Sequence, residues 1–163
     1  MNHPAWSNPP LPATMPSPLA EGLAYLHATE EVADFRGGQF RYTRLFYICD
    51  ETGEHFTTCD ADNHNTEQVY SPYRERYGIP APHELTMFRK GVGLSAAVMS
   101  KVLGFGPNQW ARYEQGEVPS RSNGLLLRLA VRNEAAWCSL LEAGKTFFHS
   151  QPRLYERLLA KAA

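Results

Sequence analysis

Residues 94–116, LSAAVMSKVLGFGPNQWARYEQG, have the spacing of a helix-turn-helix. Ser95 can cap a first helix, and Ser100 is small enough for a second helix to approach it closely. The Gly-Phe-Gly between the two helices favours a tight turn. Trp110 and Tyr113, three residues apart, share the inward face of the second helix. The apolar stripe of the first helix consists of Val98, Met99, Val102 and Leu103.

The polar residues of this segment predict its ligand. Asn108, Gln109 and Arg112 point outward in such an arrangement. Asn and Gln side chains can pair with adenine and Arg with guanine in the major groove, so we expect these three residues to read the bases of an operator DNA. The phosphate contacts expected at helix N-termini and flanking positions are Ser95, Lys101, Arg121 and Ser122. A solvated helical hairpin without a ligand is the alternative interpretation.

Length and composition are typical of a globular intracellular protein. The chain has 163 residues, enough for one ordinary domain or two small ones, and 43% of them are hydrophobic. Its three cysteines are few and odd in number, and no basic segment with an apolar run opens the chain, so neither a disulfide scaffold nor a signal peptide is expected. No apolar run approaches the length of a membrane span. We therefore expect a cytoplasmic protein without membrane contact.

Charge is segregated along the chain, although the net charge is only -1. Residues 20–66 contain nine acidic and three basic residues, whereas residues 83–132 contain seven basic and three acidic residues. The basic part includes the helix-turn-helix, as phosphate contact requires, and the acidic part would be repelled by DNA but could attract a basic protein. Ordinary variation in surface charge between the halves of a protein is the alternative.

Turn residues and periodicity divide the chain into five parts and predict an α+β fold. Residues 1–18 are a proline-rich arm that we expect to be disordered, and residues 19–78 are a small antiparallel β-domain that ends in a helix. A stiff linker at 79–82 leads to an all-α domain at 83–145 with five helices. A C-terminal helix falls within residues 146–163.

Several details of these parts are specific enough to check. Gly37-Gly38, between two alternating runs, predicts the turn of a β-hairpin. Ser120 and Asn133 are the expected caps of the last two helices of the all-α domain. Those helices carry a leucine-rich run with more apolar surface than the core needs, which predicts a homodimer. One helix is expected at 66–77, with an interruption at Pro72. The others are expected at 84–90, 95–103, 107–115, 121–130, 134–143 and 152–162.

Three segments together resemble the MqsA-type antitoxin family. They are FYICDETGEHFTT at 46–58, YRERYGIPAP at 73–82 and LTMFRKGVGLSAAVMSKVLGFGPNQWARYEQGEVPS at 85–120. The resemblance extends from residue 17 to residue 141 and implies an N-terminal zinc-finger domain followed by a Cro-like or XRE-like helix-turn-helix. It places Asn108 and Arg112 at base-contacting positions. It also implies a dimeric repressor that autoregulates its operon and neutralises a toxin through the N-terminal domain.

The chain departs from this family at the zinc ligands. The family's two Cys-x-x-Cys pairs fall on Ser17-Pro18-Leu19-Ala20 and Cys49-Asp50-Glu51-Thr52, so only Cys49 keeps a ligand. A structural zinc site needs four thiolate or imidazole ligands, and we therefore expect no metal or other cofactor, with the finger held by apolar contacts. A rearranged site is the alternative, and its ligand types would be Cys49, His55, Cys59 and His64, at a spacing that matches no common finger.

No motif for catalysis is present in the sequence. A glycine-rich phosphate loop and a nucleophile elbow are both missing, and Asp60 with Asp62 is typical of surface carboxylates. We therefore expect a DNA-binding repressor of antitoxin type and not an enzyme. A protein-protein interaction adaptor, or a stand-alone regulator without a toxin, is the alternative.

Overall fold

A computed structural model describes residues 10–149 and 152–161 of the chain. In this part of the chain, four β-strands precede seven α-helices and a 3₁₀ turn, which confirms the α+β class. The strands are β1 (Thr14–Pro16), β2 (Leu23–Phe35), β3 (Gly38–Cys49) and β4 (His55–Phe56). The helices are α1 (Cys59–Tyr77), α2 (Pro82–Val92), α3 (Ala96–Val102), α4 (Gln109–Glu114), α5 (Arg121–Arg132), α6 (Glu134–Ala143) and α7 (Pro152–Lys161), with the 3₁₀ turn at Lys145–Phe148. None of the described helices is long and apolar enough to cross a membrane.

Contacts divide the chain into two compact units, residues 1–72 and residues 73–163, which we call the sheet unit and the helical unit. The division falls inside α1 and not at the expected linker 79–82. The reason is that the end of α1 bonds to later parts of the chain: Arg74 Nη2 donates to the carbonyl oxygen of Gly116 at 2.5 Å. Arg74 is only 4% exposed, so this contact belongs to the interior of the helical unit.

The sheet unit is an antiparallel sheet with the strand order β1-β2-β3-β4. Its long hairpin pairs Phe35 with Gly38, so Arg36 and Gly37 form the turn, with φ angles of 50° and 79°. The turn expected at Gly37-Gly38 is therefore wrong by one residue. A two-residue hairpin turn of this kind needs positive φ at both positions. Arg36 and Gly37 supply them, and Gly38 is used for strand pairing.

Part of the proline-rich segment belongs to the sheet. Strand β1 pairs with β2, and the N–H of Leu26 donates to the carbonyl oxygen of Ala13 at 2.9 Å. Odd-numbered residues of the first strand therefore direct their backbone groups to β2, and Pro16, at an even position, interrupts no hydrogen bond. The expectation of a disordered arm is wrong for residues 14–16, and residues 1–9 lie outside the described part of the chain.

The outer edge of β3 is covered by side chains of α1. Gln68 Oε1 accepts the N–H of Thr43 at 2.9 Å, and Gln68 Nε2 donates to the carbonyl oxygen of Thr43 at 2.8 Å. Asn65 makes the same two-way pairing with Leu45, with 2.8 Å for each bond. The two amides lie on one face of the helix and replace a neighbouring strand. They satisfy an edge that would otherwise be free to pair with another chain.

The helical unit packs α2–α6, the 3₁₀ turn and α7 around one apolar core. Much of its leucine-rich run is used inside this core, since Leu127 and Leu141 are fully buried. Leu158 of α7 packs into the same cluster. The apolar surplus expected from the sequence is therefore smaller, because α7 contributes to the core that the run helps to fill. Leu125 keeps 47% of its surface exposed.

Helix α4 begins later than expected. Asn108 is its N-cap, with a left-handed φ of 60°, and Pro107 precedes the helix. A left-handed residue cannot continue a right-handed helix, so the helix spans Gln109–Glu114 and not 107–115. Helix α1 begins at Cys59, well before the expected Thr66, and continues through Pro72, so the expected interruption is wrong. The remaining helices are present with small shifts at their ends, and the side chains of Ser120 and Asn133 cap α5 and α6 as the sequence predicts.

Candidate DNA interface

Two serines of α3 hold the motif together. Ser95 lies at the N-cap and accepts the N–H of Val98 at 3.3 Å, as the sequence predicts. Ser100 is 2% exposed, and its Oγ accepts the N–H of Trp110 at 2.9 Å. The start of a helix leaves backbone N–H groups without a partner inside the helix. Ser100 accepts one of these N–H groups at the start of α4. The sequence predicted only that its small size lets the second helix approach, whereas its hydroxyl also bonds to that helix.

The turn between α3 and α4 uses two left-handed residues. Gly104 has a φ of 68° and Asn108 a φ of 60°. Glycine adopts this conformation freely, and asparagine is one of the few other residues that does so readily. Between them, the ring of Phe105 packs edge-on against Tyr113, with 5.7 Å between the centroids. Phe105 therefore anchors the turn to the core, while Asn108 is exposed at the start of α4.

An ion pair joins α2 to α4. Arg89 Nε and Nη2 donate to the two carboxylate oxygens of Glu114 at 2.6 and 3.1 Å, and Trp110 Nε1 donates to Glu114 at 2.8 Å. The two charged side chains are only 20% and 13% exposed. The hydrogen bond to Glu114 raises the pKa of the Arg89 guanidinium, which stays charged. The sequence analysis did not predict this pair. What could have indicated it is that α2 and α4, which both contribute to the core, each carry a charged residue that could be paired in the interior.

The three residues predicted to read bases lie at the start of α4 and on its exposed side. Asn108 is exposed, Gln109 is half-buried, and the Arg112 side chain is 63% exposed. Glu117 brings the last two together: Gln109 Nε2 donates to Glu117 Oε1 at 2.7 Å, and Arg112 Nη1 lies 4.0 Å from Glu117 Oε2. Sequence reasoning missed Glu117, because only its place just beyond the end of α4 could have signalled it.

Glu117 leaves the base-pairing groups of Gln109 available. A glutamine amide has two N–H donors and one carbonyl acceptor, and Glu117 takes one of the donors. The remaining donor and the Oε1 acceptor match N7 and the N6 amino group of adenine in the major groove. The carboxylate thus orients the amide, and the second N–H and the Oε1 atom of Gln109 make no bond to Glu117.

The four expected phosphate contacts are exposed at helix ends. Ser95 and Lys101 lie at opposite ends of α3, and Arg121 and Ser122 lie in the first turn of α5. Arg121 Nη2 donates to the hydroxyl of Tyr77 at 2.9 Å, and its guanidinium carbon lies 4.9 Å from the centroid of the Tyr77 ring. The hydrogen bond to Tyr77 raises the pKa of Arg121. Tyr77 therefore orients a fully charged arginine at the start of α5.

A comparison with known protein families agrees with this geometry. Residues 83–132, from α2 through α5, match the model of a helix-turn-helix domain. This domain supports DNA as a partner and a role in transcription regulation for the chain. A search of curated proteins found no match.

Outside the helix-turn-helix domain, three of the positions that the family resemblance assigns to zinc meet in the sheet unit. Hydrogen bonds from the Ser17 and Thr52 hydroxyls to the buried Cys49 sulfur lower the pKa of its thiol. The same two hydroxyl oxygens accept backbone N–H groups, that of Leu19 at 3.1 Å and that of Glu54 at 3.2 Å. One sulfur and two hydroxyls do not fit a structural zinc ion, which needs four thiolate or imidazole ligands.

The rearranged metal site is not assembled either. Within residues 10–149 and 152–161, no group of three or more His, Cys, Asp or Glu side chains could hold a metal ion. Cys49 bonds to hydroxyls, and the ring of His55 lies 5.0 Å from the ring of Phe46. The structure therefore does not bring together Cys49, His55, Cys59 and His64.

Proposed function

We propose that the protein is a sequence-specific repressor of antitoxin type, which binds the operator of its own operon through the helix-turn-helix domain. One observation carries this proposal. Gln109 and Arg112 share the exposed side of α4, whereas Trp110 and Tyr113 on its other side are 0% and 3% exposed. The buried aromatics fix the rotation of the helix, so its polar side chains face solvent, where the bases of the proposed operator would lie.

In the proposed complex, α4 enters the major groove. Asn108 and Gln109 pair with adenines, and Arg112 donates to O6 and N7 of a guanine. The exposed Lys101 and the Tyr77-held Arg121 bind phosphates on either side and set the register, with Ser95 and Ser122 beside them. Different residues make the proposed base contacts and the proposed phosphate contacts, so substitutions can test each set separately.

We also propose that the repressor acts as a homodimer through the helical unit. Helix-turn-helix proteins commonly read two half-sites with paired helices. Large apolar side chains among the described residues of this unit remain exposed and would contribute to such an interface. They are Met87, at 70% exposure, Leu125, at 47%, and Phe147, at 53%.

The sheet unit is the proposed site of toxin neutralisation. Its described residues, 10–72, contain ten acidic and three basic residues. Such a balance disfavours phosphate contact and favours a basic protein partner. The resemblance to MqsA-type antitoxins assigns toxin binding to the same part of the chain.

The DNA upstream of the protein's own gene provides the decisive test. In fluorescence anisotropy, the wild-type protein should bind this DNA more tightly than a scrambled duplex. Arg112→Ala should lose about 1 to 3 kcal/mol of operator affinity, because one bidentate guanine contact is removed. Arg153→Ala, an exposed arginine of α7 outside the matched domain, is the matched control and should bind as the wild type does. Equal wild-type binding to both duplexes would contradict the proposal.

Salt dependence separates this function from a protein-protein interaction adaptor. Operator affinity that depends on phosphate contacts should fall steeply as salt rises. Copurification tests the toxin proposal. A small basic protein encoded beside this one should copurify with the repressor, and its toxic activity should appear when the repressor is removed. A stand-alone regulator would bind the operator but retain no such protein.

A further inference from the structure

We propose that the outer edge of β2 is a docking site at which an extended, basic segment of a partner protein adds a strand to the sheet. The inference rests on that part of the proposed function in which the sheet unit binds a protein.

Among residues 10–149 and 152–161, none pairs with the outer edge of β2 along more than half of the strand. Strand β1 pairs with β2 at Leu23–Tyr25, and among the described residues the last backbone bond on this edge is from the Leu26 N–H to the carbonyl oxygen of Ala13. Because Thr43 and Leu45 of β3 direct their backbone groups to α1, the residues opposite them, Glu30 and Ala28, direct theirs away from β3. In the described part of the chain, no hydrogen bond reaches the outward backbone groups of Ala28, Glu30, Val32 and Asp34.

The two edges of this sheet differ in a way that indicates use. The edge of β3 is covered by the paired amides of Asn65 and Gln68, whereas the edge of β2 has no such cover among the described residues. Natural sheets protect a long free edge with a bulge, a proline, a covering element or charged side chains, above all lysine. The charged residues of this edge, Glu30, Glu31 and Asp34, are acidic and would not repel a basic strand. β2 pairs with β3 without a bulge from Ala24 to Phe35, and residues 28–34 contain neither proline nor lysine.

The free edge has the size and surface of a strand-binding site. Residues 28–34 span about 23 Å, the length of an ordinary strand. Val32, in the middle, is 54% exposed and would flank an added strand. An added strand would gain its affinity from main-chain hydrogen bonds and its specificity from side chains at alternate positions.

Charge selects a basic partner. Glu30 and Asp34 belong to the edge-facing set, and neither forms an ion pair with a described residue. Glu31 is already neutralised by Arg44 at 3.2 Å. The arginines of the sheet lie on β3 and in the turn, so an added strand would lie next to the carboxylates of β2 first. Pairing with the same edge of a second copy would bring carboxylates of both chains into one ribbon, which like-charge repulsion disfavours.

Amide hydrogen exchange on the full-length, ¹⁵N-labelled protein tests this site. The probe is a peptide of about ten residues that alternates lysine and threonine, long enough to cover the edge. In the free protein, the amides of Thr29, Glu31 and Ala33 should exchange slowly because they pair with β3, and those of Glu30 and Val32 should exchange fast. The probe should slow the fast set, and a peptide that alternates glutamate and threonine should not.

Two variants separate backbone pairing from charge. Val32→Pro removes an edge N–H and should weaken probe binding about tenfold, whereas Val32→Thr keeps the N–H and should bind as the wild type does. Slow exchange at Thr29 and Ala33 reports that the hairpin of the proline variant is intact. The double variant Glu30→Lys and Asp34→Lys keeps every N–H. It should reverse the binding preference, so that the glutamate peptide binds more tightly than the lysine peptide.

Results that contradict the docking site can be distinguished from results that contradict the proposed repressor function. Slow exchange at Glu30 and Val32 in the free protein would overturn the proposal, because the edge would already be occupied. Equal probe binding by Val32→Pro and Val32→Thr would also overturn it. Operator binding through the helical unit is measured separately. Its absence with a functional edge would contradict the repressor alone, and its presence with an inert edge would contradict the docking site alone.

Discussion

Ser100 and Trp110 are joined across the helix-turn-helix by a buried hydrogen bond, in which the Trp110 N–H donates to Ser100 Oγ at 2.9 Å. The bond connects the middle of one helix to the start of the next. It therefore fixes where α4 begins, and with it the position of Gln109 and Arg112.

Loss of this bond should destabilise the domain. Ser100→Ala leaves the Trp110 N–H buried without a partner, and we expect the free energy of unfolding to fall by about 1 to 3 kcal/mol in urea denaturation. Ser139→Ala is the matched control, since Ser139 is exposed and donates to the Ala135 carbonyl oxygen of its own helix. Its effect should stay within about 0.5 kcal/mol. Equal effects of the two substitutions would show that the buried bond contributes nothing special.

The ion pair between α2 and α4 should be worth more than an exposed pair. Arg89→Met leaves the Glu114 carboxylate largely buried without its cation, and unfolding free energy should fall by about 2 to 4 kcal/mol. The comparison is Arg132→Met, whose pair with Glu84 is 50% and 36% exposed and should contribute about 1 kcal/mol or less. Similar losses in both variants would contradict the importance of burial.

Glu117 should influence which base is read. Glu117→Ala releases the Gln109 amide and removes a negative charge beside Arg112. We expect about a fivefold loss of preference for adenine at one operator position, together with tighter binding to unrelated DNA at low salt. Binding selection from randomised duplexes measures both effects. Glu142→Ala, an exposed glutamate of α6, controls for the loss of charge, and a profile identical to that of Glu117→Ala would exclude a positioning role.

The hydroxyl cluster in the sheet unit should become a metal site when its ligands are supplied. The purified wild-type protein should contain no stoichiometric zinc, because Ser17 and Thr52 provide hydroxyls beside the single Cys49 thiol. The triple variant Ser17→Cys, Ala20→Cys and Thr52→Cys should bind about one zinc ion per chain and unfold at a higher temperature. Elemental analysis with a thermal melt tests both. One zinc per wild-type chain, or none in the triple variant, would refute this account of the cluster.

Local rules predicted much of the helical unit. The caps at Ser95, Ser120 and Asn133 each use a side chain that accepts an N–H three residues on, so the whole interaction is contained in a short segment. The inward positions of Trp110 and Tyr113 follow from helical spacing in the same way. These features are visible in the sequence because they need no distant partner.

Errors of prediction arose where a local pattern allowed two answers. Gly37-Gly38 permits a turn at either of two registers, and the pairing of Phe35 with Gly38 along the whole hairpin selects one. The prolines before residue 18 indicate an arm by composition, yet Pro16 fits an edge strand because its missing N–H faces away from β2.

By itself, the sequence determined the α+β class, the helix-turn-helix and the three outward polar residues of the candidate interface, since these depend on periodicity, caps and turns. Tertiary structure decided which distant groups meet: Arg89 with Glu114, Asn65 and Gln68 with the edge of β3, and Ser17 with Cys49. Within the described part of the chain, it also left the outer backbone groups of β2 without a partner from Ala28 to Asp34. Such contacts join residues far apart in the chain, and their formation depends on packing and strand register, which no short window of sequence encodes.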